Sequence, residues 1–132
     1  MYIFGENSAL SDPNMSHSIK AFKALEFLVV QDIFLTETAE LADVVLPSAS
    51  FAEKDGTFTS SERRVQRVRA AVASPGEAQG DLAIIHEVYK RIDPTASSFN
   101  VAPAELFAEA ASLWPGIAGM QYDRLDGDGL QW

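Results

Sequence analysis

Short apolar runs that end in polar residues mark three predicted strands. The longest run is four consecutive apolar residues that lead directly into Gln31 and Asp32. A continuous apolar run is typical of a parallel strand covered on both faces, because a half-exposed strand alternates apolar and polar positions. The pattern therefore predicts strands buried on both faces at 2–4, 27–32 and 43–47.

The segments between these strands are predicted to contain helices. Apolar positions within residues 14–25 recur at spacings of four and three, which predicts an amphipathic helix packed on the sheet. Thr36 is placed to cap a short helix that runs to Leu41, and turn formers in 7–14 predict a loop. The resulting order is βαβαβ, and open sheets of this kind bind ligands beyond the carboxyl ends of their strands. The stripe of the first helix consists of Met15, Ile19, Phe22 and Leu25.

Residues 51–69 hold half of the basic residues of the chain. The pair Asp55-Gly56 is a turn signal and the alternation in 64–69 is partial, so a short irregular hairpin is predicted. Four arginines in this segment could form an anion site, although a run of charges is more often a solvated face. They are Arg63, Arg64, Arg67 and Arg69.

Two further helices are predicted in the last third of the chain. Asp81 is expected to be the N-cap of the first, which ends at 93–94, and a loop then runs to Asn100. Pro103 is expected to start the second helix, which continues to about Leu113. The tail has no clear period, and its apolar residues are expected to dock on a surface that need not belong to this chain. These residues are Met120, Tyr122, Leu125, Leu130 and Trp132.

Composition indicates one soluble globular domain over residues 1–132. The chain is 47% hydrophobic and 22% charged, with no linker that would divide it. Its net charge of −9 argues against a nucleic-acid or anionic-membrane binder, because phosphate groups would be repelled. No apolar run approaches the roughly 20 residues that span a membrane. The chain contains no cysteine, which excludes disulfides and thiolate metal sites but does not decide the redox compartment. The cytoplasm is the favoured location. Because the chain starts inside a strand, it reads as part of something longer.

Motifs of self-contained catalysis are missing from the sequence. There is no glycine-rich phosphate loop, no histidine-glutamate metal motif and no serine elbow. His17 and His86 are far apart along the chain. We therefore expect no catalytic residue and no metal ligand in these residues.

Polar residues at the predicted strand ends are the candidate binding groups. A carboxylate such as Asp32 can accept from the ring N–H and exocyclic amine of guanine, and Lys54 supplies a point charge for phosphate. The alternative is that Asn7 and Asp32 only stabilise turns, and their spacing leaves both readings open. The full set is Glu6, Asn7, Gln31, Asp32, Ser48, Ser50 and Lys54.

Five sequence blocks closely resemble the molybdopterin oxidoreductases, and within them the catalytic subunit of formate dehydrogenase most of all. Their order and spacing cover about residues 2–90, and 129–132 resembles the same subunit just before its final domain. The chain would be a small internal part of that large subunit. The blocks lie at residues 2–7, 28–39, 42–47, 53–58 and 62–66.

The resemblance implies an α/β fold, namely a three-layer αβα domain with a Rossmann-like, mainly parallel sheet that holds one of two molybdopterin guanine dinucleotides. In such enzymes the cofactor carries molybdenum or tungsten, formate is oxidised to carbon dioxide, and electrons leave through a 4Fe-4S cluster, which would lie outside this segment. Implied partners are the remaining domains and electron-transfer subunits, with no nucleic acid and no membrane span. The implied cofactor contacts are Asn7, Gln31, Asp32, Lys54 and Asp81, with Glu6 and Thr36 as weaker additions.

Two alternatives stay open at this point. One is a sister enzyme, such as a nitrate reductase or the large iron–sulfur subunit of NADH dehydrogenase. The other is a stand-alone scaffold domain that uses the fold for subunit contact. In every case the isolated chain is expected to be inactive and to expose an apolar surface through which it self-associates.

Overall fold

The computed structural model describes residues 1–95 and 102–132, and these residues form two compact units. Unit 1 comprises Met1–Ala49 and Pro75–Gln79, whereas unit 2 comprises Ser50–Ser74 and Gly80–Trp132. That both belong to a single domain of residues 1–132 stays a prediction. Most of the loop that was expected to run to Asn100 lies outside the described residues.

Unit 1 is built on a three-stranded parallel sheet in the order β1-β2-β3. The register places Ile3 beside Val30 and Val30 beside Val45, so alternate positions of all three strands share a face. The α/β class and the predicted parallel strands are confirmed. Its elements are β1 (Tyr2–Phe4), α1 (Ser8–Ser11), α2 (Met15–Lys23), β2 (Val29–Asp32) and β3 (Val44–Pro47), with a 3-10 turn at Ala39–Leu41.

One face of this sheet forms the core of unit 1. Ile3, Leu28 and Val30 are buried there together with Ala39, and Phe22 of α2 packs against them. On the other face Tyr2 is 42% exposed and Phe4 is 51% exposed. The predicted burial on both faces is therefore wrong for β1, and it is also wrong for β3, whose valines are more than a third exposed.

The helices of unit 1 differ from the prediction at two places. Residues 8–11 form the short helix α1, which was predicted as loop, with Asn7 as its N-cap residue. Helix α2 forms close to the predicted bounds, and the side chain of Asn14 caps it by accepting from the His17 N–H. Of its predicted stripe, Phe22 reaches the core whereas Met15 is largely exposed.

Unit 2 combines an antiparallel sheet with two helices. The predicted hairpin is confirmed, since β4 pairs antiparallel with β5. A third strand, β6, pairs with the other edge of β5 and was not predicted. The elements are β4 (Gly56–Thr59), β5 (Arg64–Val68), α3 (Asp81–Ile92), α4 (Pro103–Leu113) and β6 (Leu130–Gln131), with 3-10 turns at Phe51–Glu53, Pro115–Ile117 and Tyr122–Leu125.

The C-terminal tail supplies the core of unit 2. Leu125 and Met120 are buried against Val65 of β5 and Ala111 of α4. The expectation that the apolar residues of the tail dock on a surface is confirmed, and that surface belongs to this chain, because they pack on β5 and α4. No helix among the described residues is long and apolar enough to span a membrane.

Candidate functional site

Asn7 joins the carboxyl end of β1 to the turn that follows β2. Its Nδ2 donates to Glu37 Oε2 at 2.7 Å, while its Oδ1 accepts from the Thr38 N–H at 3.2 Å and from Thr38 Oγ1 at 2.8 Å. The Thr38 hydroxyl, which is fully buried, accepts in turn from the N–H of Ala9. Asn7 therefore positions the loop at this sheet edge.

The hydrogen bond from Asn7 also affects the charge of Glu37. This donor, followed by a hydrogen bond from the backbone of Glu37 itself, lowers the pKa of the Glu37 carboxyl below its ordinary value of 4.5. Glu37 is exposed, so a fixed negative charge stands at the edge of the sheet.

Glu6 and Thr36 also lie beyond the strand ends of unit 1. Glu6 Oε1 accepts from the Ser11 hydroxyl at 2.9 Å on the surface. Thr36 Oγ1 accepts from the N–H of Ala39, which is the first residue of the 3-10 turn, at 3.2 Å. Thr36 was predicted to cap a helix that runs to Leu41, but the N-cap residue of the 3-10 turn is Thr38, and Thr36 lies two positions before it.

Gln31 is the most enclosed of the predicted site residues. Its side chain is fully buried, and its amide oxygen accepts from the hydroxyl of Tyr2 on the neighbouring strand. Its backbone carbonyl accepts from the N–H of Gly5, whose φ of +61° favours glycine. Gln31 is therefore tied into the sheet on both its side chain and its backbone.

Asp32 uses one of its two carboxylate oxygens to fix a turn. Its Oδ1 accepts from the N–H of Ile33 at 2.7 Å and from the N–H of Phe34 at 3.3 Å, which fixes the turn after β2. Within residues 1–95 and 102–132 no hydrogen bond reaches its second oxygen, Oδ2. One carboxylate can therefore stabilise the turn and still accept from a ligand, so the two readings of Asp32 are compatible.

Lys54 and Asp81 form an ion pair within unit 2. The ammonium group of Lys54 contacts Asp81 Oδ2, and the two side chains retain exposures of 28% and 20%. The expectation that Asp81 is an N-cap is wrong by one position. Gly80 is the N-cap and Asp81 is the first residue of α3, where the positive end of the helix dipole stabilises a carboxylate.

An open pocket of about 490 Å³ in unit 2 contains this ion pair. Its polar groups come from the turn before β4 and from the start of α3, and its apolar wall comes from α3, α4 and the tail. The lining residues are Lys54, Asp55, Gly56, Thr57, Gly80, Asp81, Leu82, Ala83, Pro103, Leu106, Phe107 and Tyr122.

Two features of the pocket were missed from the sequence. Phe107 was expected only to lie within the helix that starts at Pro103, and Tyr122 lay in a tail without a period. Their rings meet at 5.8 Å with an interplanar angle of 50°, and burial raises the pKa of the Tyr122 hydroxyl. No local sequence signal could place Tyr122 beside α4, because the contact depends on the path of the tail.

The arginines of the hairpin are mostly engaged with the tail. Arg67 and Arg69 both contact Asp126 Oδ1, and Arg67 also lies 4.4 Å from the centre of the Tyr122 ring. Arg63 lies 5.6 Å from the centre of the Trp132 ring. These contacts indicate a role in holding the tail. The described residues also contain no group of three histidine or acidic side chains that could hold a metal ion.

Comparison with known proteins gives the chain a family. The family model for molybdopterin oxidoreductases matches residues 1–91. The chain is 51% identical over 132 residues to "F420-dependent formate dehydrogenase 2 subunit alpha" of Methanococcus maripaludis and 53% identical over 133 residues to the F420-dependent formate dehydrogenase alpha subunit of Methanocaldococcus jannaschii. Each match covers 100% of this chain and 20% of the relative, so the chain spans about a fifth of the length of these curated relatives.

A solved structure supports the fold. Acetylene hydratase from Pelobacter acetylenicus matches 92% of this chain and 17% of its own, with a TM-score of 0.64 and 23% sequence identity. At that identity the match concerns the fold alone. The family model over residues 1–91, together with the two relatives, shows that the chain belongs to the molybdopterin oxidoreductase family.

Proposed function

We propose that this chain is an internal segment of a formate dehydrogenase alpha subunit and that it binds part of a molybdopterin guanine dinucleotide. Identities of 51% and 53% to two such subunits support the enzyme class. Its partners would be the remaining domains of the subunit and electron-transfer subunits, and a 4Fe-4S cluster would lie outside this segment. A cytoplasmic location stays a prediction.

The open carboxylate oxygen of Asp32 is the observation that carries the proposal. It lies at the carboxyl end of the central strand of a parallel sheet, where open α/β sheets bind ligands. Its other oxygen is fixed by two backbone N–H groups, so the acceptor is held in place before a ligand arrives. A fixed acceptor of this kind suits the adjacent N–H groups of guanine.

The other predicted contacts fit the cofactor to different degrees. Lys54 and Asp81 retain partly exposed polar atoms in an open pocket, which suits a polar ligand. Asn7 and Gln31 already serve bonds within unit 1, so we assign them first to holding the sheet edge and its loop. Direct contact of either with the cofactor stays a prediction.

We assign no catalytic residue to this chain. When bound, the pterin carries molybdenum or tungsten, which is where the redox chemistry of the full enzyme would occur. The residues of this chain bind and orient the cofactor, and Asp32 supplies the acceptor that selects guanine over other bases. The isolated chain is therefore expected to show no formate oxidation in a dye-reduction assay, and measurable turnover would contradict this assignment.

Guanosine diphosphate binding tests the proposed role of Asp32. We expect weak binding to the 132-residue chain with amide shifts at Ile33 and Phe34 in heteronuclear NMR. Asp32→Asn keeps an oxygen for the turn but loses the carboxylate, so the affinity should fall about tenfold, as for loss of one charge-assisted hydrogen bond.

The matched control is Asp12→Asn, which changes another carboxylate of unit 1 that bonds only to Ser18 in the described chain. This variant should bind like the wild type. Negligible and equal affinity of wild type and Asp32→Asn would instead favour a scaffold domain that does not bind the nucleotide.

A further inference from the structure

Three Asp-Gly pairs occur in the chain, at 55–56, 126–127 and 128–129. In such a pair the side-chain carboxyl group lies within reach of the next backbone nitrogen, and glycine has no Cβ to block the approach. The nitrogen can attack the carboxyl carbon and close a five-membered succinimide ring. Ring closure needs a carboxyl group and a peptide that are both free to turn, so the folded structure decides which of the three pairs reacts.

We propose that Asp128 is a site of spontaneous isoaspartate formation and that this modification releases β6 from the sheet of unit 2. Asp128 is exposed, and within residues 1–95 and 102–132 no hydrogen bond or ion pair holds its carboxylate or the N–H of Gly129. Asp128 also lies between two glycines, so rotation about its backbone bonds displaces no neighbouring side chain. The inference is independent of the proposed cofactor role of the chain.

The carboxylate of Asp126 is held by the hairpin. Its Oδ1 accepts from Arg67 at 2.9 Å and also contacts Arg69. The carboxylate must therefore leave two guanidinium groups before it can turn toward the nitrogen of Gly127. Asp126 should react more slowly than Asp128, although both are exposed and both precede a glycine.

The pair at 55–56 is held by backbone contacts. The N–H of Ala70 donates to Asp55 Oδ1 at 3.4 Å, and Gly56 is paired with Val68 in the sheet. Pairing of Gly56 restricts rotation of the peptide that ring closure would have to turn. This pair should also react more slowly than the pair at 128–129.

The reaction is a rearrangement that needs only water. A bond forms between the nitrogen of Gly129 and the side-chain carboxyl carbon of Asp128, and one carboxyl oxygen leaves as water with the amide proton and one further proton. Water then adds to one of the two ring carbonyls. Addition at the side-chain carbonyl restores aspartate, whereas addition at the backbone carbonyl breaks the original peptide bond and leaves isoaspartate.

Isoaspartate changes the length of the chain directly before β6. The main chain then runs through the side-chain carbon, which adds one carbon–carbon bond of about 1.5 Å. The added length precedes Gly129, whose backbone lies too close to the carbonyl of Val65 to admit a Cβ. Leu130 would no longer stand opposite Val65. Trp132 would leave its edge contact with the ring of Trp114.

Incubation of the 132-residue chain in water enriched in the heavy oxygen isotope tests the site. Each passage through the ring incorporates one heavy oxygen atom, and fragmentation of proteolytic peptides in a mass spectrometer assigns it to Asp55, Asp126 or Asp128. In the folded chain Asp128 should incorporate the label about fivefold faster than Asp126, the factor that corresponds to one exposed ion pair. In urea the three residues should react at similar rates, because the contacts are absent. A rate at Asp55 or Asp126 that matches that of Asp128 in the folded chain, or the same ranking in urea, would overturn the proposal.

Asp128→Glu tests the consequence for β6. Glutamate keeps the charge but needs a six-membered ring, so closure at this position should become undetectable while the fold is retained. On incubation, acrylamide quenching of tryptophan should rise in the wild type in step with isoaspartate, which a protein isoaspartyl methyltransferase measures by methyl transfer. Quenching should stay constant in Asp128→Glu.

The matched control is Asp123→Glu, which changes another exposed carboxylate of the tail and should age like the wild type. Isoaspartate at Asp128 without a rise in quenching would show that the modification does not release β6. An equal rise in Asp128→Glu would contradict the proposal in the same way.

Discussion

Single side chains at the edge of the unit 1 sheet serve both structure and charge. Asn7 uses both ends of its amide, since Nδ2 donates to Glu37 and Oδ1 accepts from buried Thr38. Asp32 divides its two oxygens in a similar way, with one fixed by backbone N–H groups and the other open. A substitution at Asn7 or Asp32 therefore reports on the charge or the open oxygen only if it keeps the hydrogen bonds that hold the local structure.

Asn7→Asp is expected to raise the pKa of Glu37. The new carboxylate keeps an oxygen for Thr38 but loses the donor that lowers the pKa of Glu37, and it adds a like charge nearby. The pKa should rise from its lowered value to at least the ordinary 4.5. A pH titration of the Glu37 side-chain signals by NMR measures it.

The sign of the pH effect on stability follows from this shift. In the wild type the pKa of Glu37 is lower in the folded state than its ordinary value of 4.5, so ionised Glu37 stabilises the fold above pH 4.5. This stabilisation is lost as the pH falls through the folded-state pKa. The part of this loss that comes from Glu37 should therefore be smaller in Asn7→Asp. Glu87, whose pKa is lowered by Arg91 and Lys90, is the internal control and should titrate as before.

Leu125→Ala tests the core that the tail builds in unit 2. Leu125 is fully buried among Val65, Ala111 and Met120, so truncation should leave a cavity and cost about 2–5 kcal/mol of unfolding free energy. Leu113→Ala is the matched control, because Leu113 is 77% exposed and its truncation should cost less than about 0.5 kcal/mol. Urea unfolding followed by tryptophan fluorescence measures both, and equal costs would show that the tail does not form this core.

At the scale of elements, the short strand β6 depends on one glycine. Gly129 has a φ of +77°, and a Cβ at this position would collide with the backbone carbonyl oxygen of Val65. Val65 is the residue of β5 that pairs with Leu130 of β6. Close backbone approach and the left-handed conformation both require glycine there. The edge of the unit 2 sheet is therefore specified by a residue without a side chain.

Gly129→Ala is expected to detach β6 from β5. The variant adds a steric clash to the left-handed strain of roughly 1–2 kcal/mol, and Trp132 should become more exposed to quenchers. Gly127→Ala is the matched control, because its φ is +96° but a Cβ there meets nothing within 4 Å. It should show the strain alone, and identical unfolding and quenching for the two variants would contradict the packing argument.

The elements that could be predicted from sequence are those with a repeated pattern. The three parallel strands, α2, the hairpin and α4 each extend a period or a turn signal over several residues. Helix α1 was missed because four residues cannot show a helical period, and β6 was missed because a two-residue strand cannot alternate. Asp81 was misplaced by one position because Gly80 and Asp81 are both acceptable caps.

For the molecule as a whole, the prediction that β1 and β3 are buried on both faces was wrong. The apolar runs of β1 and β3 predicted two covered faces, yet Tyr2 and Phe4 are largely exposed. The chain spans about 20% of the matched relatives, and in the proposed subunit the remaining domains would cover this apolar surface. Only part of the candidate site could be predicted from the sequence. The polar residues at the strand ends were identified from the pattern of apolar runs. The pocket wall could not be predicted, because it arises from tertiary contacts of the tail.

The apolar loop after β2 leads to a prediction about self-association. Ile33, Phe34 and Leu35 are consecutive, and their exposures are 48%, 72% and 68%. Contiguous apolar surface of this kind favours association, which the net charge of −9 opposes through repulsion. Because salt screens charge but not apolar contact, self-association should increase with ionic strength.

Sedimentation velocity over a range of concentrations and salt tests this balance. The double variant Phe34→Ser with Leu35→Ser should shift the chain toward monomer at every salt concentration, because it removes the two most exposed apolar side chains of this loop and leaves the backbone bonds of Asp32 in place. Val72→Ser is the control, since Val72 is 58% exposed but its chain neighbours are alanines. A wild type that stays monomeric in high salt would show that this loop does not drive association. Equal effects of the double variant and Val72→Ser would assign any association to general surface hydrophobicity.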